Sequence, residues 1–281
     1  MNRMMITSTN TLGQLQKKLD TVSNNISNSS TTGYKRKETY FSDMLVQEFN
    51  NQERTEKEKG RVTPNGIRVG VGARISQSQV NLTQGSLQKT NRDLDVALTN
   101  ENLFFTIRSI DGNNNELRYT RDGAFYLSPA NDGSEQMKLV NSSGSTILDE
   151  NNQEIRINGT PTEIKFTDKG QLNIATEEGL QSFNLGIVSV KKPQFLELRG
   201  NNTFALPRNM AQLNVTENDI YTQLTGATRD QIAMVQGNLE QSNVDVSTEM
   251  TDMMQIQRQY QFQSRTVSMA DQMMGLVNGI R

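Results

Sequence analysis

Two apolar stripes, one at each end of the 281-residue chain, restrict what it can fold into more than any other feature. Near the N-terminus Met5, Leu12, Leu15, Leu19, Val22 and Ile26 fall on alternating three- and four-residue steps, broken only at Ser8. At the other end Val246, Met253, Ile256, Tyr260, Val267, Ala270, Met274 and Val277 keep the same steps, with Glu249 and Gln263 as interruptions. This spacing places side chains on one stripe of an α-helix and matches the a and d positions of a coiled coil. Separated by most of the chain, the two segments read as halves of one helical layer; the competing reading is two amphipathic core helices in separate globular units. Burying six apolar side chains is worth less than the backbone entropy a helix of this length gives up. The Thr7–Thr11 stretch also has poor helix propensity. These helices therefore need partner helices, and the sequence predicts ends that are weakly ordered in an isolated monomer and fixed on assembly.

Between the ends the apolar period changes. Leu103–Ile110 and Glu116–Arg121 read as strands joined by the turn chemistry of Asp111-Gly112-Asn113-Asn114-Asn115, a hairpin. Asp122-Gly123 follows directly before Ala124–Leu127 and predicts a second, tight hairpin turn with positive φ at both central residues. Strand-like runs continue at Met137–Val140, Thr146–Leu148, Glu154–Ile157, Glu163–Phe166, Gln171–Ile174 and Leu185–Val190, punctuated by Gly144, Asn151-Asn152, Gly159 and Gly170. Short strands at this spacing predict an all-β region of hairpins. The expected fold is thus α+β: a discontinuous α-helical, coiled-coil domain from residues 1–37 and 232–281, and an inserted β-rich domain over 67–231. Residues 38–66 join them, with an apolar cluster at Phe41, Met44, Leu45 and Phe49 and then a charged run over 50–60. They read as an arm against a neighbouring subunit or as a solvated linker.

Composition narrows the function. There is no cysteine, which removes thiolate nucleophiles, disulfides and Cys-based metal sites, and no histidine, which removes the commonest general base and metal ligand. No cofactor and no metal are expected, and catalysis is not. With 29 basic against 31 acidic residues the chain has no field for steering nucleic acid. Lys35-Arg36-Lys37 stands without a second basic cluster, and the sequence places it near a helix C-terminus, where the dipole favours cations. No run approaches the length needed to span a bilayer, and no Sec-type h-region opens the chain. The hydrophobic fraction, 33%, is low for a compact enzyme and fits an elongated shape with thin cores.

Leu19-Asp20-Thr21-Val22-Ser23-Asn24-Asn25-Ile26-Ser27-Asn28, running into Thr31-Thr32-Gly33-Tyr34-Lys35-Arg36, resembles the opening motif of the bacterial flagellar rod and hook proteins. Gln236-Gly237-Asn238-Leu239-Glu240-Gln241-Ser242-Asn243-Val244-Asp245 is similar to that family's motif before its C-terminal helix. Tyr119–Phe125 and the Pro193–Phe204 segment match it in the same order. The single β insert of modest size looks more like the rod proteins than the hook proteins. One departure is Asn100-Glu101-Asn102-Leu103-Phe104, where the family has a Gly-x-Gly turn. Asn tolerates positive φ best among non-glycine residues, so the turn is expected to persist.

The resemblance implies a structural subunit of the flagellar basal-body rod, within the hook–basal body complex, serving motility by carrying torque. It implies export through the flagellar type III apparatus on an uncleaved N-terminal signal, a location beyond the cytoplasmic membrane, and polymerisation through the terminal helices. The partners are then copies of itself, other rod and hook subunits and the export apparatus, without nucleic acid or membrane insertion. The assembly interface is expected at Met5, Leu12, Leu15, Leu19, Val22, Ile26, Met253, Ile256, Tyr260, Val267, Met274 and Val277. Asn24, Asn25, Gly33, Tyr34, Asn243 and Asp245 are expected to fix the turns flanking the helices, the polar ones as caps. Rival readings are a non-permanent assembly factor, a peptidoglycan hydrolase working through carboxylates such as Asp122, Asp149, Glu150 and Asp168, and a calcium module at Asp111-x-Asn113-x-Asn115. In the last, Glu116 stands where the loop needs glycine.

Overall fold

The computed structural model describes residues 2–43, 46–49, 67–70, 73–111, 114–130, 136–177, 179–200, 202–207, 209–210, 212 and 214–279. The protein is α+β, with a long helix at each end and a β-rich middle. In chain order the elements begin with α1 (Asn2–Ser27), β1 (Lys37–Asp43), β2 (Val46–Phe49), β3 (Ile67–Gly70) and β4 (Ala73–Val80). They continue with β5 (Leu87–Lys89), β6 (Val96–Leu98), β7 (Leu103–Asp111), β8 (Asn114–Thr120), β9 (Phe125–Pro129), β10 (Gln136–Asn141), β11 (Thr146–Ile147) and β12 (Arg156–Asn158). Then come β13 (Pro161–Phe166), β14 (Gln171–Thr176), β15 (Gly179–Asn184), β16 (Ile187–Val190), β17 (Glu197–Leu198) and β18 (Thr203–Ala205). The short α2 (Glu217–Ile220), β19 (Tyr221–Gln223), β20 (Met234–Gln236), β21 (Asn238–Glu240) and α3 (Val246–Gly279) complete the chain.

The chain divides into two compact units. A helical unit comprises Met1–Ile26, Lys37–Gln79 and Val246–Arg281; a β unit comprises Ser27–Arg36 and Val80–Asp245. In the helical unit α3 is free of proline and carries Glu249 in its first turn, where a carboxylate complements the helix dipole. Strand β1 pairs with β4, and β2 pairs antiparallel with β3. Helix α1 is tied to this ribbon by Gln14, whose Oε1 accepts the Ile75 amide at 3.1 Å, and by the Lys18 ammonium 5.2 Å over the Phe41 ring. The charged run 50–60, with Met44 and Leu45 of the expected apolar cluster, lies outside the described residues.

In the β unit the main sheet runs β12-β10-β11-β7-β8-β18-β17, with β16 and β19 joined at β7 and β9 at β10. Strand β7 is central because its side chains alternate between two cores. Leu103, Phe105 and Ile107 enter the larger cluster with Phe125, Leu172 and Ile187, while Phe104 enters a smaller one with Tyr119, Val188 and Phe204. Edge-to-face ring pairs fill both, Phe105 on Phe125 at 5.1 Å and Phe104 on Phe204 at 5.6 Å. A separate antiparallel sheet β13-β14-β15 and two long-range pairs, β6 with β20 and β5 with β21, complete the unit.

The expected β7–β8 hairpin forms, with Asp111 opposite Asn114. Asp122-Gly123 does not make the second hairpin that its dipeptide predicts. Strand β8 pairs with β7 and β18 while β9 pairs with β10, and neither Asp122 nor Gly123 has positive φ. Glycine is required there for a different reason: a Cβ would stand 1.7 Å from the Val96 carbonyl oxygen. Likewise neither Asn100 nor Asn102 adopts positive φ. That turn is held from inside instead, by the Arg121 guanidinium donating to the carbonyls of Asn100, Glu101 and Leu103 at 2.7–3.0 Å.

Candidate functional site

The helical unit carries one small apolar seam. Leu15, Val22 and Ile256 are buried together, with Leu19, Ile26 and Met253 packed against them. Met5, Leu12, Val267 and Met274 are half-buried, whereas Tyr260 and Val277 are exposed. Of the three polar interruptions of the stripes, Ser8 and Glu249 are buried and Gln263 is half-buried. Glu249 accepts a hydrogen bond at 3.1 Å from the side-chain amide of Asn25, which also donates to the Lys37 carbonyl and accepts the Lys37 amide. Asn25 is thus a brace inside the last turn of α1 rather than a cap. Asn24 is exposed on the same turn, and Asp245 directly precedes α3.

Helix α3 has a second apolar face that the stripe pattern did not reveal. Met250, Met254, Phe262, Met269, Met273 and Leu276 are all exposed, Phe262 and Leu276 by more than two thirds. At 3.6 residues per turn they share one side of the helix, roughly opposite the side that carries Met253, Ile256 and Ala270. A cleft of about 400 Å³ adjoins this face, lined by Thr11 and Leu15 of α1 and by Arg258, Gln259, Phe262 and Gln263 of α3.

In the β unit the two sequence motifs meet at a buried ionic junction. Glu240 in β21 receives Lys35 Nζ at 2.7 Å on Oε1 and Arg121 Nε at 2.7 Å on Oε2; all three side chains are at most 1% exposed. Lys35 also donates to the carbonyls of Leu82 and Thr83, and the Gly85 amide donates to Glu240 Oε1. The Gly33 amide donates to the Glu240 carbonyl at 2.8 Å, with Gly33 at φ +65 and Tyr34 buried beside it. Asn243 braces the same place. Its Oδ1 accepts the Arg36 amide at 2.7 Å, and its Nδ2 donates to the carbonyls of Asn81 and Thr83. Burial, with Arg121 alongside, pulls the Lys35 ammonium down to about 8, against the raising effect of Glu240. The expectation that Lys35-Arg36-Lys37 serves a helix dipole is therefore corrected for Lys35: its charge is spent on Glu240, beyond the end of α1 at Ser27. Removing one partner of a buried ion pair of this kind costs about 3–5 kcal/mol, because the other charge is left uncompensated.

The candidate carboxylates are engaged in turns. Asp122 accepts from Thr32 Oγ1, Ser142 Oγ and the Ala124 amide, and burial raises its pKa. Asp149 accepts the Asn151 and Gln153 amides, and Glu150 accepts from Asn184 and Arg229. Asp168 lines an open cleft with Lys169, Arg229 and Asp230. Among the described residues no three His, Cys, Asp or Glu side chains gather as a metal site, and no helix is long and apolar enough to cross a membrane. Asn113 of the supposed calcium loop lies outside the described residues. Sequence reasoning did not pick out Arg121, Glu240 and Glu249 as buried. The one available signal was their position inside or beside motifs already singled out.

Three family models match in collinear order. They are "Flagella basal body rod protein" over residues 5–35, "Flagellar hook protein FlgE/F/G D1 domain" over 100–174 and "Flagellar basal body rod FlgEFG protein C-terminal" over 235–280. Among curated proteins, the flagellar hook-basal body complex protein FlhP of Bacillus subtilis is 43% identical, covering 100% of both chains. The flagellar basal-body rod protein FlgG of Buchnera aphidicola subsp. Acyrthosiphon pisum is 31% identical over 91% of each chain. FlgG of Borreliella burgdorferi is 28% identical, covering 100% of this chain and 99% of its own.

Proposed function

We infer the function from kinship and from the unburied face of α3 together: this chain belongs to the flagellar basal-body rod protein family, and it is a structural subunit of the hook–basal body complex. Its work is mechanical. We propose that it polymerises through its terminal helices, α1 and α3 acting as one discontinuous, coiled-coil-like assembly domain around the β-rich middle of the chain. Partners are further copies and other rod and hook subunits, and delivery is by the flagellar type III apparatus without a cleaved signal. The location is the basal body, beyond the cytoplasmic membrane.

The observation that carries this reading is the second face of α3. A helix whose Met250, Met254, Phe262, Met269, Met273 and Leu276 stand in water, opposite a side already packed and with Arg258 and Arg265 between them, exposes large apolar side chains of the kind that protein interfaces bury. The inner seam (Leu15, Leu19, Val22, Ile26, Met253, Ile256) holds α1 to α3, while Met5, Leu12, Tyr260, Val267, Met274 and Val277 extend the contact toward neighbours. Head-to-tail repetition that does not close generates a filament. Asn24, Asn25, Gly33, Tyr34, Asn243 and Asp245 set the chain direction at the helix ends.

The test is a strain carrying Phe262→Ser, Met269→Ser and Met273→Ser together, with mass spectrometry of purified hook–basal bodies and swimming in soft agar. The variant is expected to be made in normal amounts, absent from basal bodies and non-motile. Incorporation at the wild-type level would end the proposal.

A further inference from the structure

Glu240 is the carboxylate in direct contact with two buried cations that come from far away in sequence: Lys35, 205 residues earlier, and Arg121, 119 residues earlier. Its strand β21 also supplies the carbonyl that accepts the Gly33 amide, and pairs with β5. Lys35 and Asn243 both donate to the Thr83 carbonyl, and the Arg36 carbonyl accepts the Asn81 amide. Residues 31–36, 81–85 and 238–243 therefore close as one body. Lys35 stands two residues before the chain leaves the β unit at 36/37, and Glu240 six before it leaves again at 245/246.

Without Glu240, docking residues 31–36 would bury the Lys35 ammonium beside the Arg121 guanidinium with no carboxylate bonded to it and Glu101 as a more distant countercharge, a cost above that of leaving the segment in water. Arg121 by itself keeps four backbone carbonyls as acceptors, at Leu98, Asn100, Glu101 and Leu103. The strands around β7 thus need no contribution from β21. The N-terminal segment does.

We propose that Glu240 is a completion lock: segment 31–36 docks onto the β unit only after segment 238–241 has arrived, so the N-terminal motif stays undocked in any chain whose C-terminal part has not yet been delivered. The lock makes the place where the chain first joins the β unit conditional on the place where it last leaves. This inference does not rest on polymerisation, and its test needs no assembly.

The test uses the full chain with Glu240→Gln, whose amide can accept from one cation and turns its NH2 toward the other. Hydrogen exchange is read at three amides: Gly33, bonded to the Glu240 carbonyl; Asn81, bonded to the Arg36 carbonyl; and Thr106, bonded to the Gly186 carbonyl inside the sheet. Gly33 and Asn81 are expected to exchange about tenfold faster or more, with Thr106 unchanged. Unchanged Asn81 protection, or equal loss at Thr106, overturns the proposal. Should the variant fail to fold, pulse-labelled refolding of the wild-type chain decides. Gly33 and Asn81 are then expected to become protected together with Gln241, whose amide bonds Ser86, and after Thr106. Protection of Asn81 before Gln241 overturns it.

Discussion

Raising the pH should stabilise the β unit, the reverse of what alkali does to most proteins. The group responsible is Lys35, brought down from 10.5 to about 8 by burial and by Arg121. Between these two values the unfolded chain holds a proton that the folded chain has released, so stability rises with pH across the window. The full gap is worth on the order of 3 kcal/mol. From about pH 7 to about pH 9.5 the gain is about 2 kcal/mol, a rise of roughly 1 M in urea midpoint for a slope of about 2 kcal/mol per M. The scan must stop there. Burial pushes the Tyr119 phenol up, and above about pH 10 ionisation of the unfolded tyrosine works the other way. Lys165 and Lys169, raised by Glu163 and Asp230, have the opposite sign to Lys35, but both are exposed and screened. Near-UV circular dichroism is the assay, since Tyr34, Tyr119, Tyr126 and Tyr221 report on the β unit. Lys37, also lowered by burial, belongs to the helical unit. The Lys35→Met variant should lose the slope whatever its absolute stability. A flat or falling wild-type midpoint over this range, or an identical rise in Lys35→Met, would refute the argument.

Gly123→Ala should cost more than about 2 kcal/mol by denaturant midpoint, because the new Cβ meets the Val96 carbonyl oxygen at 1.7 Å, backbone against backbone. Gly13→Ala has nothing within 4 Å and should stabilise α1 by about 1 kcal/mol, read as slower amide exchange along the helix. Ile256→Ala should destabilise the helical unit by about 2–4 kcal/mol, while the exchange of Thr106 in the β unit stays as it was.

Local chemistry made the hairpins legible. Asp111–Asn115 has turn composition between two apolar runs, and β7 and β8 pair on either side of it; Gly170, at φ +80, lies between β13 and β14. Strand β15 escaped notice because Gly179-Leu180-Gln181-Ser182-Phe183-Asn184 is an edge, half of it in water, with no clean alternation. The pairs β5–β21 and β6–β20 were not legible either, since each joins segments about 140–150 residues apart and no local signal encodes such a partner. Asp122-Gly123 shows the same limit in reverse. The dipeptide satisfies a hairpin rule, yet what demands the glycine is the distant backbone at Val96.

The candidate site divides along the same line. Heptad counting finds the one stripe that a pattern of alternating steps can describe, and it found the cluster of Leu15, Val22 and Ile256. The same counting treats residues off the stripe as solvent-facing, so the row from Met254 to Leu276 stood unread although its spacing is equally helical. A helix apolar on two sides has little net amphipathicity; its partners are recognised only when one side is seen already filled. Charge is subject to a similar blindness. Lys35, Arg121, Glu240 and Glu249 look solvated in a sequence that is 21% charged, and nothing local distinguishes a surface lysine from one destined for a buried glutamate 205 residues away. Burial of a charge is a property of the partner. Where two motifs of one chain each contain an ionisable residue and opposite signs, their pairing is therefore the first hypothesis that three-dimensional data should test.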